Sequence, residues 1–195
     1  MIKLANIPVV EIMDSVSPCI DMAVGYDNFS ASKNMINRMI AKGKKNIIYF
    51  GARLDERSII RQKGYEAAMI ENGLDHYTIS SKELSSFTLG GKLLHQAFEE
   101  IPNVDGIFCS NDNLALGVLF ECQRLNIPVP QKLAIAGFHG HDVGQAVTPK
   151  LATILTPRQE MGRIAAEMLI RRLNGKPIES PYVELPVEYL EGGSI

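Results

Sequence analysis

Short apolar runs, rich in β-branched and aromatic residues, alternate with longer stretches of helical periodicity from one end of the chain to the other. Residues 8–12, 22–25, 46–50, 76–79, 106–110, 133–138 and 151–155 read as strands. Between them, apolar positions recur at helical spacing over residues 30–41, 56–71, 91–100, 113–125 and 159–173. The helix ends are punctuated: Gly43, Asn72-Gly73 and Asn174-Gly175 are suited to the left-handed cap that satisfies the last carbonyls. Asp55, Asp112 and Thr156 before Pro157 are suited to helix starts. Alternation of this kind predicts an α/β fold with a mainly parallel sheet covered on both faces. After Phe138 the stretch HGHDVGQAVTPK loses all periodicity and reads as a loop, and residues 182–190 read as one closing strand.

Composition narrows what such a fold does. The chain has 195 residues, 46% of them hydrophobic, enough to build a packed core. Its net charge is −2, so no basic field is available to hold nucleic acid through phosphates. No apolar run approaches the roughly 20 residues that a membrane span needs. The opening MIKLANIPVVEIMD lacks a signal-type apolar stretch, which disfavours secretion. Cys19, Cys109 and Cys122 are odd in number and without metal-ligand spacing, so a reducing cytoplasm fits best. Cys109, within GIFCS, reads as a buried small hydrophobe.

In open α/β sheets ligands bind beyond the carboxyl ends of the strands, and three such junctions here are polar. GARLDERSIIR sets Arg57 and Arg61 four residues apart, on one face of a helix near its start. Cations there oppose the helix dipole unless an anion compensates, and guanidinium can grip a carboxylate through two parallel bonds. Pairing with Asp55 or Glu56 is the alternative. Ser110-Asn111-Asp112-Asn113 can cap a helix, and Asn111 also offers the donor and acceptor that a polyol requires. His139-x-His141-Asp142 carries metal-ligand types, but no further cluster completes a ligand set, so no metal is assigned and a histidine facing a ligand hydroxyl or carboxylate is preferred. No nucleophile elbow, phosphate-binding glycine loop or HExxH is present, so no enzyme activity and no cofactor are expected.

The ordered set RQKGY, SNDNLALG, VPQKLAIAGF and LTPRQEMGRIAAEML resembles the effector domain of lactose/galactose-type repressors over nearly the whole chain. GARLDERSIIRQKGY and AIAGFHGHDVGQ resemble gluconate-utilisation repressors in particular. The resemblance implies a periplasmic-binding-protein-like fold of two α/β lobes with the effector in the cleft between them. It further implies an incomplete amino lobe and an absent DNA-binding headpiece. Residues 1–23 and 157–176 would be amino-lobe remnants, 24–156 the carboxyl lobe, and 177–195 a return to that lobe. Arg61 stands at the family's effector-gripping arginine and Asn111 at its polar strand-end position. His139 replaces the usual aspartate, removing a charge that would repel a carboxylate, and Phe87 is the aromatic nearest the position that stacks on ligand in many relatives. Arg57 and Asp112 complete the expected effector site.

The expected function is that of a repressor's effector domain, sensing gluconate or a related sugar acid and dimerising through the helix after SNDN. Leu116, Val118, Leu119 and Leu125 there exceed what one inward stripe requires. Operator DNA would be reached only through the headpiece. A solute receptor of a transport system is the competing expectation, because such receptors share the fold.

Overall fold

The computed structural model describes residues 7–14, 19–53 and 55–195. Residues 1–6 and 15–18 of the expected amino-lobe remnant lie outside the described residues, as does Leu54. The elements run β1 (Val10–Ile12), β2 (Met22–Gly25), α1 (Asn28–Ala41), β3 (Ile47–Ala52), α2 (Glu56–Glu71), β4 (Tyr77–Ser81) and α3 (Phe87–Glu100). They continue through β5 (Gly106–Cys109), α4 (Asp112–Arg124), β6 (Ala134–His139), α5 (Asp142–Ala146), β7 (Ala152–Leu155), α6 (Arg158–Leu173), β8 (Tyr182–Glu184) and β9 (Glu188–Leu190).

The chain divides into two compact units, Met1–Asn28 with Thr156–Val187, and Phe29–Leu155 with Glu188–Ile195. The smaller holds a parallel sheet in the order β1-β2-β8, with α6 packed on β1 and β2. The larger holds a six-stranded sheet in the order β4-β3-β5-β6-β7-β9. Every pairing in it is parallel except β7 with β9. Strands β3 and β5 are buried along their whole length, which is why they read as unbroken apolar runs.

All seven expected strands and five expected helices are present, with ends shifted by a few residues. Gly43, Gly73 and Gly175 end their helices at φ +91°, +66° and +64°, as the cap reading requires. Helix α3 begins at Phe87, not at residue 91, and Ser86 caps it through Leu89 N–H. Its Gly90 and the Gly117 of α4 let the two helices touch. A Cβ at position 90 would lie 2.2 Å from the Leu114 carbonyl oxygen, and one at 117 only 2.0 Å from that of Phe87. The stretch expected as a loop after Phe138 contains the short helix α5. The single closing strand is two: β8 joins β2, Pro186 lies between, and the chain re-enters the larger unit at Glu188 instead of at residue 177. Helix α6 begins at Arg158, directly after Pro157.

Leu116, Val118 and Leu119 are wholly buried in the larger unit's core. Helix α4 packs against α3 on one side and against β5 and β6 on the other. Its apolar surplus is therefore consumed inside the chain, and of the four residues only Leu125 is exposed.

Candidate functional site

Helix α2 is fixed to the larger sheet by two tyrosines. Tyr49 Oη donates to the Ser58 carbonyl at 2.8 Å, and Tyr65 Oη donates to that of Ile47 at 2.8 Å while accepting from Tyr77 N–H at 2.9 Å. Burial raises both phenol pKa values. Asp55 caps the helix by accepting from Ser58 N–H at 2.8 Å. The buried stripe of α2 runs through Ser58, Arg61, Gly64, Tyr65, Ala68 and Met69, so Arg61 points inward along the sheet's carboxyl edge.

Arg61 is 4% exposed. Its Nη1 donates to the Ser110 carbonyl at 2.6 Å and lies 3.2 Å from His139 Nε2. Its Cζ stands 3.7 Å from the centroid of the Phe138 ring, a cation–π contact. A guanidinium can only donate, so its bond to His139 requires Nε2 to be the unprotonated nitrogen of a neutral imidazole. The half-buried His139 ring lies edge-on to Phe138 at 5.4 Å and parallel to His141 at 5.9 Å. The ends of β3/α2, β5 and β6 thus converge on one cationic, aromatic-backed corner with a neutral imidazole beside it. Such a corner suits an anion that can also accept hydrogen bonds.

The other expected site residues are placed differently. Arg57 does not point with Arg61: it is 39% exposed and pairs with Asp55 at 3.6 Å, the alternative left open for it. Being four residues apart was not enough, because only Arg61 falls on the buried stripe. Asn111 caps α4, its Oδ1 accepting from Leu114 N–H at 3.2 Å, while its Nδ2 makes a 3.5 Å contact with Ser110 Oγ. Asp112, the first helical residue, is wholly buried, and both its carboxylate oxygens are engaged within the larger unit. Burial raises its pKa against the opposing effect of those hydrogen bonds.

Phe87 packs edge-on against Phe120 at 5.9 Å and lines a groove of about 390 Å³ between α3 and α4, together with Thr88, Lys92, His95 and Glu121. None of the Arg61 corner belongs to that groove. His141 contributes its backbone N–H to Asp112, and Asp142 is exposed at the start of α5. Among the described residues no group of three His, Cys, Asp or Glu side chains could hold a metal ion. No helix there is long and apolar enough to cross a membrane.

Sequence reasoning missed three participants in the corner and its support. The Ser110 carbonyl carries no side-chain signature, and Phe138 passed as an ordinary strand residue. Thr153 does carry a signal in the sequence, a lone hydroxyl inside the apolar run ATIL, and the structure buries it wholly.

The periplasmic binding protein-like domain family matches residues 36–195. The chain is 53% identical over 195 residues to the HTH-type transcriptional regulator GntR of Escherichia coli (strain K12), and 36% identical over 195 residues to IdnR of the same strain. Both matches cover 100% of this chain, which spans 59% of the length of each of these curated relatives. The crystal structure of transcription regulator GntR from Chromobacterium violaceum superposes with a TM-score of 0.95 at 33% identity, covering 99% of this chain and 72% of that one. A LacI family regulator from Silicibacter pomeroyi superposes at 0.92 with 29% identity, covering 100% and 60% respectively.

Proposed function

This chain belongs to the periplasmic binding protein-like family, among its LacI-type transcription regulators, and from that premise we propose that it senses a sugar acid, gluconate first among them. The observation that carries this reading is Arg61, a buried guanidinium beside a histidine at the carboxyl edge of the larger sheet. An aspartate at position 139 would form an ion pair with Arg61 and repel an incoming carboxylate, whereas His139 bonds to Arg61 without a fixed negative charge. A bound anion would also favour the protonated imidazole, whose Nε2 would then give up the bond from Arg61 and donate to the ligand instead. Asn111 would offer Nδ2 to a sugar hydroxyl while its Oδ1 remains a cap. The half-exposed Arg57 would add only local positive potential.

In the intact protein, effector binding would alter operator affinity, the role suggested by the words HTH-type transcriptional regulator in the relatives' names. A coupling of about 1–3 kcal/mol would change that affinity roughly 5- to 150-fold. The names favour a cytoplasmic regulator over a transport receptor and give no support to an enzyme. Dimerisation would run along the α3–α4 flank, where Phe87 and Leu125 are exposed and Phe120 is partly so. Sedimentation of the intact protein should then show two copies, and a strict monomer at high concentration would remove the dimer from the proposal.

Calorimetric titration of the intact protein with gluconate and with glucose tests the effector. Gluconate should bind at least about 10-fold more tightly, since charge-assisted bonds are roughly twice as strong as neutral ones. Equal affinity would overturn the sugar-acid reading.

A further inference from the structure

The turn that follows β6 has an unusual backbone. His139 sits at φ +110° and Gly140 at φ +67°, and a histidine in that region persists only where its surroundings over-determine it. Helix α4 and strand β7 supply part of those surroundings. Thr153, wholly buried in β7, accepts from Gly140 N–H at 3.2 Å and donates its hydroxyl proton to Asp112 Oδ1 at 2.6 Å. The other carboxylate oxygen, Asp112 Oδ2, accepts from His141 N–H at 2.6 Å. Two consecutive backbone N–H groups of the turn are therefore taken up by one carboxylate and the hydroxyl bonded to it.

The arrangement needs a bare backbone opposite the carboxylate. A Cβ on Gly137 would lie 2.3 Å from Asp112 Oδ1, so glycine in β6 is what lets α4 bring its first residue against the strand. With the N–H groups of residues 140 and 141 bonded inward, the chain has little freedom at residue 139. The imidazole is left with Nε2 3.2 Å from Arg61.

We propose that Asp112 and Thr153 are positioning residues that act through the turn they hold, setting where His139 presents its ring to Arg61 and hence to the ligand. Asp112 then affects effector recognition without touching effector. The consequence for affinity rests on the sugar-acid reading given above, whereas the positioning of the ring does not.

The test uses the intact protein and reads the ring directly. Histidine side-chain resonances of the ligand-free protein are recorded by ¹⁵N–¹H correlation, with the four histidines assigned by single substitution. Thr153→Val keeps the shape and removes the hydroxyl. It should shift the His139 ring resonances and weaken gluconate binding roughly 10-fold, the scale of a lost charge-assisted hydrogen bond. Thr153→Ser, which restores the hydroxyl, should restore both. In a His139→Ala background, Thr153→Val should cost no further affinity, because the ring through which it acts is gone. Should Thr153→Val fail to fold, Asp112→Asn is read in the same way.

Unmoved His139 resonances, or an equal loss of affinity with and without the His139 ring, would overturn the proposal. Absence of gluconate binding by the wild type would instead overturn the sugar-acid reading. The resonances would still decide the positioning role.

Discussion

After β3 the chain runs through Arg53, Asp55 and Arg57 into α2, and after β5 it runs through Ser110, Asn111 and Asp112 into α4. Both junctions are polar stretches at the carboxyl edge of one parallel sheet, and both were expected to face a ligand. At the first, Asp55 takes the capping role, and Arg61, farther along the helix, reaches back across the edge to the Ser110 carbonyl and His139. At the second, the cap and the inward bracket consume Asn111 Oδ1 and the whole Asp112 carboxylate. The difference teaches that a polar strand end becomes a recognition site only with groups that helix initiation does not need. Short side chains next to the free N–H groups are claimed first.

The largest predicted effect separates the two arginines. Arg61→Ala should weaken gluconate binding by 100-fold or more, on the scale of about 2–5 kcal/mol for truncating one member of a buried charged contact. Arg57→Ala, in an exposed pair, should change it by no more than about 3-fold. Equal losses in calorimetry would erase the distinction between the buried and exposed arginines.

Asn111→Asp sharpens the contrast between the junctions. Aspartate caps as well as asparagine, so unfolding by urea should show stability within about 0.5 kcal/mol of wild type. The lost donor and added negative charge should nonetheless weaken gluconate binding roughly 10-fold. Unchanged affinity would make Asn111 a cap and nothing more.

Asp112 gives a smaller effect with a definite sign. Its folded pKa is raised, chiefly by burial, so the folded state holds a proton more firmly than the unfolded chain. Its contribution to stability is therefore fully present below the ordinary aspartate pKa of about 3.9 and is lost as pH rises through the folded value. Denaturant titrations from pH 4 upward should show a shallower decline for Asp112→Asn than for wild type. A steeper decline would reverse the assignment.

The smallest effect concerns the strand leading into the second junction. Cys109 is wholly buried with its thiol pKa raised, and burial pushes the Cys122 thiol up to about 12. Alkylation of the folded protein at neutral pH should modify the half-buried Cys19 well before either. Early labelling of Cys109 would mean that the base of the junction opens to solvent.

The layered α/β fold was legible because its signals are local. Fully buried strands leave unbroken apolar runs, and glycines mark helix ends. What escaped depended on tertiary contacts. Gly90, of low helix propensity, stands in the first turn of α3, which the expected helix left out, and it and Gly117 are contact points between the two helices. The five-residue α5 is too short to carry a period. Pro186, lying between β8 and β9, is a stop signal within the stretch that reads as one strand. The leucines of α4 looked like surplus because nothing in the sequence reveals that a helix will be covered on two sides.

Within the site, Arg61 and His139 were found from residue type and position after a strand. The Ser110 carbonyl and the Thr153–Asp112 bracket were not, because a backbone acceptor has no residue type and a bracket is defined by which groups meet.

The central claim is that the corner formed by Arg61 and His139 recognises a carboxylate and not merely a polyol. Calorimetry on the intact protein with gluconate and gluconamide isolates that charge, since the two ligands share every hydroxyl and differ only at the terminal group. Gluconate should bind at least about 10-fold more tightly, and Arg61→Ala should bring the two affinities together. Equal binding of the two ligands to the wild type would contradict the claim.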